Sequence, residues 1–215
     1  MSVMGSSASS GLASESVTEI PRWYVAYTYP RHERAVAEQL EHKSVDTFLP
    51  TFTQTSKWKD RRVSLQVPLF PGYVFTRIAA RERVKVVSLP SVIRMLSYRA
   101  TLAPVSDEEI DTIRLCIQQK AELRPHHYLA VGDWVRVRAG VFEGVQGIVL
   151  RHRNGCKLVV SIGLIQQSVA MEIDADLLEK MDSSSRAIQA HPTGEALASA
   201  AGFRRDAVMH NSQPN

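Results

Sequence analysis

Cysteines, aromatic residues and long hydrophobic runs are all scarce in this sequence, and two of these scarcities exclude classes of protein. The two cysteines, Cys116 and Cys156, lack the further partners that a zinc site or a disulfide framework requires. No apolar run approaches the roughly 18 residues that a membrane-spanning helix needs, and the N-terminus lacks the pattern of a secretory signal. We therefore expect a cytoplasmic protein that does not enter a membrane.

Recognisable catalytic machinery is also missing. The glycines within 140–147 have neither the spacing nor the Gly-Lys-Ser/Thr ending of a phosphate-binding loop. His126 and His127 have no acidic or thiol partners nearby, which favours exposed histidines over a metal site. Asp174 and Asp176 follow a predicted strand without a neighbouring nucleophile or base. We expect neither enzymatic activity nor a cofactor.

Charge and composition divide the chain into segments. Residues 22–125 hold 17 Lys and Arg against 11 Asp and Glu, whereas residues 126–182 hold 6 against 7. The first block therefore favours a polyanionic partner and the second does not. Seven serines and only two charged residues in the first 20 positions predict a disordered tail over 1–21. A mobile C-terminal tail is expected over 183–215.

Residues 22–122 carry strand and helix patterns in alternation, which is typical of an α+β sandwich. Period-two alternation predicts the strands, and apolar residues at helical spacing predict the helices. Ser106 and Glu109 have the spacing of a capping box at a helix start. Strands are expected over 23–28, 48–58, 63–67, 73–78 and 92–96, and helices over 31–43 and 80–88 and from 107 onward.

The second half of the ordered region has a different pattern. Residues 123–130 lack periodicity and predict a linker. Residues 131–182 carry five short strand patterns separated by glycines, and Asn154-Gly155 is a strong hairpin signal. This pattern predicts a small β-barrel, whose β-branched content favours a permanent strand structure.

Residues 68–75, Pro-Leu-Phe-Pro-Gly-Tyr-Val-Phe, are the most informative segment of the chain, and we call them the octapeptide. Its prolines restrict the backbone on either side of Phe70, while Tyr73 and Phe75 begin a strand. Such a segment can display aromatic side chains at a rigid edge. Local chemistry alone favours the alternative, a turn leading into a buried strand.

A predicted hairpin tip has the composition of a nucleic-acid contact. Lys57, Lys59, Arg61 and Arg62 supply cations for phosphates, and Trp58 supplies a ring that can stack on an unpaired base. The alternative is an ordinary solvated hairpin tip, because charged residues also protect edge strands.

A second basic group lies at the start of the first predicted helix. Arg31, His32 and Arg34 place cations where they oppose the helix dipole, and an anionic partner is one reason for such a placement. The commoner alternative is a solvated helix face.

Four motifs occur in order along the chain: residues 23–25, the octapeptide, residues 104–110, and a KOW-type stretch over 132–147. Together they resemble the NusG family of transcription elongation factors over roughly residues 22–181. Within that family, residues 30–33 and 168–176 are most similar to the specialised UpxY and RfaH types.

The resemblance implies a non-enzymatic factor that binds bacterial RNA polymerase. In this family the N-terminal domain binds the clamp helices of the largest polymerase subunit and suppresses pausing, while the KOW domain, an SH3-like barrel, recruits a second partner. The similarity also implies that the two basic groups contact the non-template DNA strand. By position, the polymerase-binding residues are Phe70 and Tyr73, with Trp23, Tyr27, Pro71 and Gly72.

The resemblance departs from housekeeping NusG in one loop of the KOW domain. The family's Phe, which contacts Rho or the ribosome, is absent from residues 161–167, where Leu164 or Ile165 could substitute. With Phe142, these two residues are the candidate KOW contacts.

We expect a monomeric, operon-specific antitermination factor. The alternatives are a general NusG that couples polymerase to Rho or the ribosome, and a ribosome- or RNA-associated KOW protein.

Overall fold

The protein is represented by a computed structural model that describes residues 20–58, 61–126, 132–152 and 155–181. Both predicted tails, apart from residues 20 and 21, lie outside these ranges, as does Asn154 of the predicted hairpin turn.

The N-terminal region is built on a four-stranded antiparallel sheet with the order β2-β5-β1-β6. In the central pair, Val25 lies opposite Phe75 and Tyr27 lies opposite Tyr73. The predicted α+β order is therefore present. The strands are β1 (Arg22–Thr28), β2 (Asp46–Phe48), β5 (Tyr73–Ile78) and β6 (Val92–Met95).

The two faces of this sheet belong to different apolar clusters because side chains alternate along each strand. One face, which includes Tyr24 and Val74, packs with the helices α1 (Glu33–His42) and α2 (Arg83–Val87). The opposite face belongs to a larger cluster, which we call the shared cluster because it also contains residues of the C-terminal region. The shared cluster includes Trp23, Val25, Phe75 and, from the helix α3 (Asp107–Gln118), Ile110 and Ile113.

A long ribbon projects from this framework. The strands β3 (Thr51–Trp58) and β4 (Arg61–Pro68) pair only with each other. The sequence predicted one strand over 48–58, but the structure breaks it between Phe48 and Thr51. Pro50 explains the break, because it has no N–H to donate to a continuing ladder. A shorter hairpin, β7 (Ser97–Tyr98) with β8 (Thr101–Leu102), follows β6.

The start of α1 also differs from the sequence prediction. The helix begins at Glu33 rather than at residue 31. Arg31 has a φ of 67°, which is the left-handed region and cannot belong to an α-helix.

The C-terminal region is a six-stranded antiparallel sheet with the order β14-β10-β11-β12-β13-β9, which is consistent with the predicted KOW-type domain. Within the described residues, the only helical segments of this region are single 3₁₀ turns. The strands are β9 (Arg124–His126), β10 (Asp133–Val137), β11 (Gln146–His152), β12 (Gly155–Ile162), β13 (Gln167–Ile173) and β14 (Leu178–Lys180).

Part of the predicted linker is a strand. β9 pairs with β13 at the edge of the C-terminal sheet, with Arg124 opposite Ala170 and His126 opposite Ser168. Pro125 keeps Arg124 extended, and an edge strand tolerates the missing N–H of a proline. Three residues are too few to show the alternation from which strands are predicted, so the sequence indicated only a linker.

The predicted capping box is present at the start of α3. Ser106 Oγ accepts a hydrogen bond from the Glu109 N–H at 3.2 Å, and Glu109 Oε2 accepts one from the Ser106 N–H at 3.3 Å. α3 has 12 residues, and no helix in the described ranges is long and apolar enough to cross a membrane.

We expect Ser106→Ala to lower the free energy of unfolding by about 1 kcal/mol, because the Glu109 N–H at the helix start loses its acceptor. Urea denaturation followed by circular dichroism measures this change. Gln118→Ala, at the exposed end of the same helix, is the control and should change stability by only a few tenths of a kcal/mol. Equal effects of the two substitutions would show that the cap does not stabilise the helix.

Candidate functional site

The octapeptide folds as a tight turn between β4 and β5. The Tyr73 N–H donates to the Phe70 carbonyl at 3.2 Å, and the Leu69 N–H donates to the Pro50 carbonyl at 2.8 Å. Gly72 has a φ of 84°, a conformation that favours glycine. A Cβ at this position would also lie 3.2 Å from Cε2 of Tyr27. Glycine is therefore required both by the backbone conformation and by the close approach of the Tyr27 ring.

The two peptide groups of Gly72 are bound by Thr28, at the end of β1, and by Glu33, at the start of α1. Its N–H donates to Glu33 Oε1 at 2.7 Å. Its carbonyl accepts from the Thr28 N–H at 2.9 Å, and Thr28 Oγ1 lies 3.4 Å from the same oxygen. The turn is thus held on both sides by one neighbouring segment, and Pro71 is its exposed tip.

The aromatic side chains of the octapeptide are buried in this structure. Phe70 is 1% exposed and Tyr73 is 2% exposed. The Phe70 ring lies 5.9 Å from the Phe75 ring, and the Tyr73 ring lies 5.4 Å from the Tyr27 ring. The octapeptide therefore does not display these two side chains in this arrangement, and its local geometry is that of a turn leading into a buried strand.

Burial changes the acid–base behaviour of Tyr73. The pKa of its phenol is raised to about 12, mainly by removal from water and also by the neighbouring Tyr27, while Arg94 opposes the shift. The Arg94 guanidinium lies 5.8 Å from the centre of the Tyr27 ring. Tyr27, Tyr73 and Arg94 thus form one compact group at the end of the sheet face.

Trp23 lies at the other end of the same face and is 1% exposed. The guanidinium of Arg114, on α3, lies 4.8 Å from the Trp23 ring centre and 5.0 Å from that of Phe48. Trp23 is a core residue beneath α3 in this arrangement.

The shared cluster joins the two regions of the protein. It contains Phe70 and Tyr73 from the N-terminal region and Ile162 and Ile165 from the C-terminal region. A hydrogen bond also crosses between the regions, from the Gly163 N–H to Glu109 Oε1 at 3.0 Å. One carboxylate oxygen of Glu109 therefore caps α3, and the other accepts a hydrogen bond from the C-terminal region.

The basic group at the start of α1 lies on the surface. Arg31, His32 and Arg34 are all exposed. His32 Nδ1 lies 2.8 Å from Ser91 Oγ, and its ring packs edge-on against Tyr29 at 6.3 Å. Tyr29 is an exposed aromatic neighbour that the sequence did not indicate, because it directly follows a strand pattern. The sequence signal for its exposure was its position directly before Pro30.

The second basic group lies toward the far end of the ribbon. Along the backbone, Lys57 pairs with Arg62 and Trp58 pairs with Arg61. Arg62 is exposed. Lys59 lies outside the described residues, as do the side chains of Lys57, Trp58 and Arg61. The structure thus brings four of the five positions together at the end of one hairpin.

The candidate contacts of the C-terminal region are not fully exposed. Phe142 and Leu164 are half-buried and pack against the shared cluster. Ile165 is itself buried, at the end of the 3₁₀ turn Gly163–Ile165. In this arrangement, Ile165 is a core residue rather than a surface contact.

The cysteines take no part in a site. Cys116 and Cys156 are buried and form no disulfide. Burial raises the pKa of the Cys116 thiol to about 11, so the thiol is protonated at neutral pH. No group of three or more potential metal ligands occurs in the part of the chain that the structure describes.

Comparison with known proteins finds similar sequences over about three quarters of the chain. Residues 21–114 match the family model described as transcription termination factor NusG. The transcription termination/antitermination protein NusG of Escherichia coli K12 is 28% identical over 173 residues, which cover 74% of this chain and 96% of that protein. Over these residues the chain is similar to the NusG family.

Other NusG proteins cover a similar part of the chain. The NusG protein of Helicobacter pylori strain J99 is 26% identical over 176 residues, covering 74% of this chain and 98% of its own length. A solved structure described as domain interaction in Thermotoga maritima NusG is 23% identical, covers 75% of this chain and 98% of its own, and has a TM-score of 0.47.

The ionisation of Tyr73 tests its burial. Because its folded pKa of about 12 exceeds the ordinary value of 10.0, the folded state keeps a proton that the unfolded chain loses between these values. The stabilising contribution is complete below pH 10 and disappears as the pH rises toward 12. Between pH 10 and 12, we expect the free energy of unfolding of the parent to fall by about 2 kcal/mol more than that of Tyr73→Phe. Identical pH profiles from denaturant titrations would contradict the burial.

Proposed function

We propose that this protein is a NusG-family transcription factor that binds RNA polymerase through the clamp helices of the largest subunit and suppresses pausing and termination. It acts as a monomer in the cytoplasm and has no enzymatic activity. The observation that carries this proposal is the octapeptide, whose turn is hydrogen-bonded on both sides of Gly72 with an aromatic residue before and after it. A turn held in this way fixes the directions in which Phe70 and Tyr73 project.

A rigid pair of aromatic residues suits a protein-binding surface. Large side chains with few rotatable bonds lose little entropy on binding and contribute much of the energy at the centres of interfaces. Tyr73 also has a hydroxyl group that a partner can hydrogen-bond, and Arg94 is available beside it to meet a carboxylate. The polymerase therefore meets an apolar centre with polar atoms at its edge.

Binding requires these side chains to become exposed. Phe70 and Tyr73 now lie in the shared cluster, and the Glu109–Gly163 hydrogen bond links α3 to the C-terminal sheet. We propose that the C-terminal sheet moves away from the N-terminal region when polymerase binds. The arrangement seen here is then the closed state of the factor.

DNA contact is a second part of the proposal. Arg31 and Arg34 are exposed at the start of α1 and can reach phosphates without any rearrangement. The ribbon end, where Arg62 is exposed, supplies a second basic position. We propose that both contact the non-template strand of the transcribed DNA.

The C-terminal loop favours an operon-specific role over a general one. Residues 161–167 hold no aromatic residue with which to bind Rho or the ribosome, and in the closed state Ile165 is buried and Leu164 is half-buried against the shared cluster. Leu164 and Phe142 become candidate contacts only after the C-terminal sheet moves. A ribosome- or RNA-associated protein would not need the octapeptide geometry at all.

The octapeptide assignment is tested by Phe70→Ala combined with Tyr73→Ala. We expect polymerase affinity to fall about tenfold or more, because truncation removes both aromatic anchors. Val74→Ala is the matched control, since Val74 is buried on the opposite sheet face and its truncation weakens the fold without touching the proposed surface. Pull-down of polymerase core enzyme and titration of each folded variant give the affinities. Unchanged binding by the double variant would refute the assignment.

The closed state is tested by Glu109→Ala. Losing a hydrogen bond to a charged group shifts the equilibrium toward the open state, and a change of about 1.4 kcal/mol gives roughly tenfold tighter polymerase binding. Ser106→Ala is the matched control, because it weakens the same helix cap but leaves the Glu109–Gly163 contact in place. If both variants bind polymerase like the parent, the contact does not restrain the factor.

A further inference from the structure

Glu33 is the one charged side chain among the buried polar residues of the described ranges, and it is 4% exposed. A buried carboxylate is unfavourable unless hydrogen bonds replace the water it has lost. Glu33 lies in the first turn of α1, where the helix dipole favours negative charge. Its hydrogen bond from the Gly72 N–H, at 2.7 Å, reaches across 39 positions of sequence.

This contact is placed where it controls the octapeptide. The Gly72 N–H has no partner within its own turn, whose internal hydrogen bond runs from Tyr73 to Phe70. Thr28 binds the other peptide group of Gly72, and both of its contacts to Gly72 are to the carbonyl oxygen. Without the Glu33 carboxylate, the peptide group between Pro71 and Gly72 could rotate while the carbonyl stayed bound.

Rotation of that peptide group would change the function of the turn more than the stability of the fold. The φ and ψ angles of Pro71 and Gly72 set the direction in which Phe70 projects relative to Tyr73. Tyr73 itself is anchored in the ladder between β5 and β1, opposite Tyr27. The relative geometry of the two aromatic residues is therefore held by the Tyr73–Phe70 hydrogen bond within the turn and by the Glu33 contact at its tip.

We propose that Glu33 is a positioning residue for the polymerase-binding surface. Its carboxylate fixes the Pro71–Gly72 peptide so that Phe70 and Tyr73 keep one relative orientation when the surface becomes exposed. This inference rests on the proposed binding of polymerase through the octapeptide. A purely structural Glu33 would change the free energy of unfolding and leave the affinity of the folded protein for polymerase unchanged.

The first measurement needs no polymerase. Amide hydrogen exchange, followed by NMR on the full chain, reports whether the Gly72 N–H is protected. In Glu33→Ala we expect this amide to exchange at least about tenfold faster, because its acceptor is gone. Glu33→Gln keeps a neutral acceptor and should show an intermediate rate. An unchanged Gly72 rate in Glu33→Ala would overturn the proposal.

The second measurement is the dissociation constant for polymerase core enzyme, under conditions where every variant is folded. We expect about a tenfold increase for Glu33→Ala and a smaller one for Glu33→Gln. Val36→Ala is the matched control, because Val36 is fully buried one turn along α1 and its apolar side chain offers no acceptor to the Gly72 N–H. Glu38→Gln, on the exposed side of the same helix, controls for charge. Both controls should bind like the parent.

The two measurements separate failure of this proposal from failure of the proposed function. If Gly72 loses protection and affinity is unchanged, while Phe70→Ala with Tyr73→Ala still abolishes binding, Glu33 is only structural. If the double variant also binds like the parent, the octapeptide is not the polymerase site and both proposals are wrong. Equal weakening by Val36→Ala and Glu33→Ala would likewise refute a positioning role.

Discussion

The pairing of β1 with β5 is the constraint on which the N-terminal region depends. Because strand side chains alternate, this register decides which residues join the shared cluster and which pack beneath α1 and α2. A slip by one residue would exchange Val25 with Ala26 and bring Tyr24 to the face that now holds Trp23. The register is held at its end by Gly72, whose carbonyl binds Thr28, the last residue of β1. The sheet, the turn and the aromatic surface are therefore held in place by the same contacts.

The proposed function gives the same apolar face two competing uses. In the closed state it stabilises the protein, because Phe70, Tyr73 and Ile165 are removed from water together. In the proposed open state it stabilises a complex with polymerase. Affinity then equals the intrinsic affinity of the exposed surface reduced by the fraction of molecules that are open. A closed factor is thereby protected from binding other apolar partners.

Much of the fold followed from sequence pattern, and the differences have local physical causes. The capping box at Ser106 and the strand after Gly72 depend on short-range chemistry, so residue types predicted them well. Pro50 shifted an element boundary through its missing N–H and Arg31 shifted one through its left-handed φ, and pattern alone indicates such effects poorly. β9 is a strand only because β13 lies beside it, and no local signal encodes that neighbour.

The candidate site was predictable in position but not in exposure. The octapeptide was found from its prolines and aromatic residues, whereas its burial depends on packing across the whole chain. Glu33 was missed because a glutamate after His32 in a charged helix start looks like any solvated residue. Its proposed role depends on the hydrogen bond from Gly72, which lies far along the chain. The resemblance to NusG supplied the family, and the structure supplied the contacts that limit when the surface is available.

The strand β9 has a consequence for how far the two regions can separate. With β9 paired to β13, only residues 119–123 connect α3 to the C-terminal sheet. Five extended residues span at most about 18 Å, which limits how far the sheet can separate in the proposed open state. If β9 detached, the connector would extend to residue 132, and the same estimate gives a reach of about 50 Å. Three residue pairs at a sheet edge thus set the tether length of the whole C-terminal region.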